Sequence, residues 1–410
     1  MTAAIARLNR RTFASLGQRN YRLFFAGQVV SVTGTWMQNV ALAWLVLELT
    51  GSAVAVGVLV FCRFLPFTLF GLVAGVVADR LDNRRLVIGT QAAEMGVSAA
   101  LAALAFSGAA APWQIYALAA LGGTAHVFGT PARHSFTFEL VGRKQLPNAV
   151  ALNSSLFNGA RIAGPAAGGI VVAAAGAGAC FAVNTVSFLA VLAGLLLMRT
   201  DELHSLERGD TRPALLAGVR EGLSYAWREP RVRLVLVLTA AVSAVGFNFH
   251  VLVPVLAAQT LHAGPEVLGA LTACFGAGAL LGALLAAAIG RASRRLLLGG
   301  SGGLGVALLL LAPQRTAVAA GVLLFAAGAC FVLWTSNSQS ILQLGAPDHL
   351  RGRVLGLWLF AFAGLAPAGG LLTGWLSAAG GTTLAFGVGG AVTVLASGAA
   401  FIERRRLAAL

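Results

Sequence analysis

The sequence predicts an all-α integral membrane protein with twelve transmembrane helices, on three observations. Of its 410 residues, 58% are hydrophobic and only 10% are charged, whereas soluble domains carry about 25% charged residues. Twelve apolar stretches approach the length of about 20 residues that a helix needs to cross a bilayer. The basic residues gather in alternate connections, on what would be one side of the membrane. Little chain is left for a soluble domain.

The apolar stretches, taken in order, give the helices and the organisation. The predicted spans are 22–49, 53–78, 85–107, 113–133, 149–174, 177–198, 232–259, 265–289, 295–312, 316–343, 352–378 and 382–402. The one long polar connection divides them six and six. We therefore expect an N-terminal bundle over 1–199, a linker over 200–231 and a C-terminal bundle over 232–410.

The linker itself carries a helical pattern. Leu215, Val219, Leu223 and Trp227 recur at helical spacing, with charged residues on the opposite face. Such a pattern is typical of an amphipathic helix that lies on a membrane surface.

The distribution of charge fixes the expected orientation. All but three of the 29 basic residues lie in the termini or in connections on the same side. Because cytoplasmic connections are enriched in Lys and Arg, both termini are expected in the cytoplasm, and the membrane is expected to be the inner membrane of a bacterium. A net charge of +15 would indicate a nucleic-acid partner in a soluble protein, but here the arginines lie in small clusters between apolar runs, so no nucleic acid is expected.

The two halves of the sequence resemble each other. Arg80 after span two corresponds to Arg291 after span eight, at an offset of 211 residues, and Arg22 corresponds to Arg233 at the same offset. A duplicated six-helix unit is typical of transporters in which two similar halves rock about a central site.

The end of span two and the loop after it carry a pattern of small, acidic and basic residues, namely Gly75, Asp79, Arg80 and Arg84. A carboxylate at a helix end beside arginines can bond alternately to neighbouring helices, and so latch one conformation. The pattern resembles the cytoplasmic signature loop of the major facilitator superfamily, although Asp82 stands where that signature has a glycine and Asn83 where it has a base.

Span five has a denser pattern of small residues beyond Asn158 and Arg161, made of Gly164, Pro165, Gly168 and Gly169. Small residues let helices approach closely and a proline bends a helix. The pattern resembles the antiporter motif of drug exporters in the same superfamily. Short runs at 49–52 and 350–354 resemble the branch of enterobactin exporters and macrolide efflux proteins.

This resemblance implies a fold of two pseudo-symmetric six-helix bundles and an activity, namely export of a drug-like or siderophore-like amphipathic molecule in exchange for protons. It also implies that spans three, six, nine and twelve stand outside a central cavity. An uptake symporter and a non-transporting scaffold or sensor on the same fold are the alternatives.

Ionisable residues at membrane depth are the candidates for coupling, because each costs about 3 kcal/mol there unless it has a partner or a cavity. Glu94 is the candidate proton carrier, with Arg161 and Arg63 near mid-membrane. Arg161 is expected to hold a carboxylate, either that of Glu94 or an acidic group of the substrate, while the resemblance favours the two arginines over Glu94. The other expected cavity residues are Trp36, Gln38, Asn39, Asn158, Asn248, Asn337 and Trp358.

Other classes of protein are excluded by missing patterns. Lys144 is the only lysine and does not stand in a phosphate-binding glycine-rich loop, so the chain cannot be an ATP-driven pump by itself. It has no metal-binding HExxH and no Gly-x-Ser-x-Gly. We expect a non-enzymatic monomer without cofactor or metal, whose partners are a small-molecule substrate, protons and lipid.

Overall fold

The computed structural model describes residues 13–204, 215–246, 248–347 and 350–403. At several positions within these ranges, Asp79 among them, it describes the backbone but not the side chain. Three helices open the N-terminal half: α1 (Arg19–Thr50), α2 (Ala53–Arg80) and α3 (Asn83–Ser107). A helical stretch over Pro112–Leu196 follows, and two glycines divide it into α4 (112–141), α5 (143–175) and α6 (177–196).

Those two glycines reverse the chain without a loop. Gly142 and Gly176 have φ of 67° and 77°, a left-handed region that glycine adopts at little cost. Hydrogen bonds across each turn, such as Asn153 to Thr137 and the Cys180 thiol to the Gly168 carbonyl, confirm that the helices on either side run antiparallel. The expected break over 134–148 is therefore wrong, because its polar residues extend α4 and α5 instead of forming a connection.

The C-terminal half repeats this plan. The linker helix (Leu215–Arg228) leads into α7 (Pro230–Thr260), which contains π-helical turns at Val242–Gly246 and Leu256–Thr260. Three helices follow: α8 (Pro265–Ile289), α9 (Arg294–Leu311) and α10 (Ala317–Gly345). The apolar stretch Arg351–Ile402 is broken at Gly380 and Gly381 into α11 (351–379) and α12 (382–402). The described part of the chain thus carries twelve membrane-length segments in two six-helix bundles.

The linker helix docks on the C-terminal bundle. Ala226 is buried in the core of that bundle, and the Tyr225 hydroxyl donates a hydrogen bond to the Gly345 carbonyl at the end of α10. Glu221 pairs with Arg353 at the start of α11. Contacts with α10 and α11 therefore attach this helix to the C-terminal bundle.

We call the side that carries the linker the linker side, and the opposite side the far side. At the far side the bundles touch backbone to backbone. A methyl group added to Gly169 on α5 would lie 2.5 Å from the Pro265 carbonyl oxygen and 3.0 Å from Gly269 Cα on α8. In the second contact, a methyl group on Gly57 of α2 would lie 2.7 Å from the Gly370 carbonyl oxygen of α11. These two contacts join α5 to α8 and α2 to α11.

The bundles separate toward the linker side. Gly57 and Gly75 are eighteen residues apart on α2, about five helical turns, and so lie on the same face of the helix. Thr68, also near that face, still donates to the Gly364 carbonyl of α11 at 2.9 Å. A methyl group on Gly75, however, would meet no atom within 4 Å. The bundles therefore touch at the far side, and the space between them opens beside Gly75 toward the linker side.

Gly169→Ala is expected to lower the stability of the protein, since the added methyl group must push α5 away from α8. Overpacking of this kind costs about 1–3 kcal/mol. The measurement is the midpoint of thermal unfolding in detergent. Gly159→Ala on the same helix is the control, because a methyl group there meets nothing within 4 Å. Equal midpoints for the two variants would show that the contact is not tight.

Candidate functional site

Arg161 lies at the junction of the two bundles, enclosed by aromatic rings. Its guanidinium carbon is 5.8 Å from the ring centre of Trp36 on α1. On the other bundle it is 5.1 Å from Phe275 of α8 and 5.6 Å from Phe331 of α10. The backbone helps to fix this position, because Gly276 lets α8 pack directly against the Arg161 carbonyl.

The aromatic rings explain how this charge can lie so deep. An arginine at the middle of a membrane helix costs about 3 kcal/mol on insertion scales. Each cation–π contact returns about 0.5–2 kcal/mol, more where water is excluded. Three rings therefore offset a cost of that size. Among the described residues no carboxylate lies within ion-pair distance of Arg161.

Glu94 is held elsewhere. Its carboxylate lies 3.4 Å from Nδ1 of His126 on α4 and accepts a hydrogen bond of 3.2 Å from Gln91. The Glu94 side chain is 13% exposed and that of His126 is 54% exposed. The expected pairing of Glu94 with Arg161 is thus not present in this conformation. The pairing with His126 could not be foreseen, because it depends on how α3 lies against α4.

Arg63 lies between these two groups. Its guanidinium carbon is 5.8 Å from the Phe64 ring, whose centre is in turn 5.8 Å from the His250 ring on α7. Arg63 interacts electrostatically with Glu94 and with His250, and His250 interacts with Arg161. Ionisable side chains therefore follow one another from α3 to the junction of the bundles.

Gln38 belongs to a structural network within the N-terminal bundle. Its Oε1 atom lies 2.7 Å from both Ser98 Oγ on α3 and Asn184 Nδ2 on α6. Asn184 also contacts Ser187, and both lie against Gly34 of α1. The structure thus places Gln38 among helices of its own bundle, where it joins α1 to α3 and α6.

Two residues expected in the cavity hold the C-terminal bundle together. Asn337 is 4% exposed and accepts a hydrogen bond from the Ser293 amide, which fixes the connection before α9. Trp358 is 7% exposed, donates to the Ser338 hydroxyl and stacks on Phe362 at 5.2 Å. Each makes its contact inside the bundle.

The remaining polar candidates lie at different places. Asn248 is buried against Gly369 of α11 and donates to the Ala244 carbonyl at the break in α7. Asn158 donates to the Ser154 carbonyl one turn earlier on α5. Asn39 is partly buried, with no hydrogen bond among the described residues. Trp36 alone among these candidates contacts Arg161.

The sequence did not single out the phenylalanines of the C-terminal bundle. Phe275 packs against Phe249 at 4.4 Å and against Phe331 at 5.8 Å, and Phe331 reaches Trp334 at 6.0 Å. Phenylalanine is equally common on lipid-facing surfaces, so its presence in an apolar stretch gives no signal of this kind. Only the packing identifies these rings as the wall opposite Arg161.

The loop after α2 is bound to the N-terminal bundle. Asp82 accepts a hydrogen bond from the Arg85 amide and so caps α3, while Asn83 donates to the Glu139 carboxylate on α4. Arg84 donates to the Leu195 carbonyl at the end of α6. Arg80 is exposed. The Asp79 side chain lies outside the described residues.

The motif of α5 packs on two sides. Gly164 and Gly168 lie against α1 at Trp36 and Met37, while Gly169 faces α8. Pro165 is buried, and its carbonyl lies against Gly269. The small residues therefore serve close packing both within the bundle and between the bundles.

Two similar six-helix bundles that meet at one side, with charged and aromatic residues at their junction, are typical of a membrane transporter. The chain belongs to the transmembrane secretion effector family of the major facilitator superfamily, which matches residues 10–409.

Several curated relatives are transporters. The chain is 28% identical over 361 residues to the multidrug efflux pump Tap of Mycolicibacterium fortuitum, covering 86% of this chain and 88% of that protein. It is 28% identical over 256 residues to the staphyloferrin A transporter of Staphylococcus aureus, covering 62% of this chain and 63% of that protein. It is 24% identical to macrolide efflux protein A of Streptococcus pyogenes, covering 68% of this chain and 70% of that protein.

Solved structures support the fold. A peptide transporter POT mutant in complex with sulfate matches with a TM-score of 0.78 at 13% identity, covering 95% of each chain. A bacterial homologue of the human lysosomal transporter Spinster, in an inward-facing and unoccupied conformation, matches with a TM-score of 0.71 at 15% identity, covering 95% of this chain and 97% of that chain.

Gln38→Leu is expected to destabilise the protein by about 1–3 kcal/mol, because it leaves the Asn184 amide without this acceptor, whereas Ser98 keeps the Phe181 carbonyl. Asn39→Leu is the matched control, since the adjacent residue makes no hydrogen bond within the described chain. The midpoint of thermal unfolding measures both. If Asn39→Leu were the more harmful change, the structural role of Gln38 would be wrong.

Proposed function

We propose that this protein exports an amphipathic small molecule across the membrane in exchange for protons, by alternating access. The observation that carries the proposal is the pair of glycine contacts that join the bundles at the far side, while the space between them opens beside Gly75 toward the linker side. A substrate site at the level of Arg161 would then be reached from the linker side. Relatives that are named as efflux pumps support the direction of transport.

Alternating access follows from the two halves having the same fold. If α2–α11 and α5–α8 separate at the far side and meet at the linker side, the site opens to the other compartment without a change within either bundle. The small residues at both contacts keep the required motion close to a rigid rotation. Glycine also has no side chain that would have to withdraw from the opposite helix when the bundles separate.

The proposed orientation places the linker side in the cytoplasm of a bacterial cell, with both termini there. Its support is the position of the basic residues: only Arg315 is in a far-side connection, and positive charge favours the cytoplasmic face. The chain would therefore lie in the inner membrane as a monomer that binds its substrate from the cytoplasm or the inner leaflet.

We propose Glu94 and His126 as the proton-carrying pair. Both side chains can gain and lose a proton, they lie in direct contact, and His126 is more than half exposed. Arg63 links this pair electrostatically to His250 and so to the junction of the bundles. A proton on the carboxylate would weaken its hold on Arg63, which gives a physical route from protonation to the movement of α2.

Glu94→Gln is expected to reduce proton-driven export at least tenfold and to leave exchange of substrate without a gradient largely intact, because the amide cannot carry a proton. The assay uses everted membrane vesicles with a pH-sensitive dye and a panel that contains a macrolide and a carboxylate siderophore. A transported compound dissipates the imposed pH gradient.

Glu48→Gln is the control, since Glu48 is an exposed acid at the far end of α1. If Glu94→Gln kept full gradient-driven transport, Glu94 would not be the carrier. Flux coupled in the opposite direction would indicate an uptake symporter, and no flux of any compound would indicate a scaffold or sensor.

We also propose that Asp79 latches the linker side shut in the alternate conformation, together with Arg80. The loop beside it is already anchored by Asp82, Asn83 and Arg84, so a contact made by Asp79 would act on the whole N-terminal bundle. Gly75, one turn earlier, leaves room for another helix to approach.

Asp79→Asn is expected to slow transport severalfold with unchanged expression, because the amide loses the charge that would pair with arginine or a helix N-terminus. Asp82→Asn is the matched control, as an asparagine can still cap α3. Turnover is measured in the same vesicle assay. Equal turnover in the two variants would contradict the proposed role of Asp79 as a latch.

A further inference from the structure

We infer that the substrate of this protein is an organic anion, with an acidic group such as a carboxylate on an aromatic or apolar body, and that Arg161 binds the acidic group. The inference deepens the proposed function by naming the substrate class. Its first support is that Arg161 has no acceptor of its own. Among the described residues neither a carboxylate nor a carbonyl receives a hydrogen bond from its guanidinium, and none of its nitrogens is among the buried polar atoms that lack a partner.

These two facts together mean that the guanidinium, which lies at the junction of the bundles, is not completely enclosed by the described residues. The rings of Trp36, Phe275 and Phe331 stabilise its positive charge, but their carbon atoms offer no lone pair to its N–H groups. A planar carboxylate can accept two of those groups at once. The site therefore presents a positive charge and several N–H donors, a combination that suits an anion.

The surrounding charges also favour an anion. Arg63 on α2 is a second buried cation near the junction, and Arg133 on α4 adds a further positive charge near Glu94. Glu94 is the one acid at depth in the described N-terminal bundle, and it is bound to His126 and Gln91. In the described C-terminal bundle the acids lie at helix ends, namely Glu229, Glu266 and Glu403. A cationic substrate would find no free acid at this level and would be repelled by Arg161.

The aromatic residues around Arg161 indicate the chemistry of the non-acidic part of the substrate. Trp36 is partly exposed, and the half-exposed ring of Phe157 meets it edge to face at 5.7 Å. Phe275 and Phe331 close the site from the other bundle. An aromatic or apolar body would cover these rings while its acidic group binds Arg161. Because the site draws residues from both bundles, the anion would contact both halves at once, as a transported substrate must.

The test compares three probes with the same aromatic body and different charge: pyrenebutyrate, pyrenebutanol and pyrenebutyltrimethylammonium. The full-length protein in lipid nanodiscs is titrated with each probe, and energy transfer from tryptophan to pyrene reports binding above the signal from empty nanodiscs. Pyrenebutyrate is expected to bind at least tenfold more tightly than pyrenebutanol, as a charge-assisted hydrogen bond predicts. The cationic probe is expected to bind most weakly.

Arg161→Gln is expected to abolish the preference for pyrenebutyrate while leaving the affinity for pyrenebutanol unchanged, and Arg161→Lys should keep part of it. Arg315→Gln removes the same charge from an exposed far-side arginine and should keep the full preference. Equal binding of the three probes to the wild-type protein, tighter binding of the cation, or no binding at all would overturn the inference. So would a preference that survives Arg161→Gln.

Flux in proteoliposomes separates this inference from the proposed function. Anion-selective binding that depends on Arg161, without proton-coupled flux of any compound, would refute the transport function and leave the anion site standing. Proton-coupled export of a cationic or neutral compound alone, with no anion preference in binding, would refute the anion site and leave the transport function standing.

Discussion

The close approach of glycine backbones at the far side is the constraint on which the rest of this structure depends. Within a bilayer the hydrophobic effect does not hold helices together, so they associate through van der Waals packing where side chains are small. Gly169 with Gly269 and Gly57 with Gly370 bring the bundles into contact there. That contact places the rings of α8 and α10 against Arg161 of α5, so the geometry of the site follows from the packing of residues that carry no functional group.

The second constraint is the cost of charge in the membrane, and the protein meets it in two ways. Glu94 is compensated within its own bundle by polar and basic neighbours. Arg161 is compensated by aromatic rings contributed by both bundles. The surroundings of Glu94 do not depend on how the two bundles are placed, whereas those of Arg161 do. The proton-carrying pair and the substrate site that we propose thus lie at different places, with Arg63 and His250 between them.

The relatives with known names include multidrug and macrolide efflux proteins and a siderophore transporter. In this chain the contacts of α5 with α8 are made by small residues that carry no functional group. We therefore propose that substrate choice depends on the few groups at the junction. In this chain those groups are basic and aromatic, which is the reason for inferring an anionic substrate.

The sequence by itself determined the membrane fold, since apolar length, basic connections and the internal repeat are local properties that the bilayer selects directly. It also identified Arg161, because a charge at that depth is costly wherever the helix lies. Only the tertiary structure decided the partners: that Gln38 joins three helices, that Asn337 fixes a connection, that Glu94 meets His126, and that Phe275 and Phe331 face Arg161. Hydropathy records how deep a residue lies but not which face of its helix it occupies or which helix lies opposite, and partners depend on both.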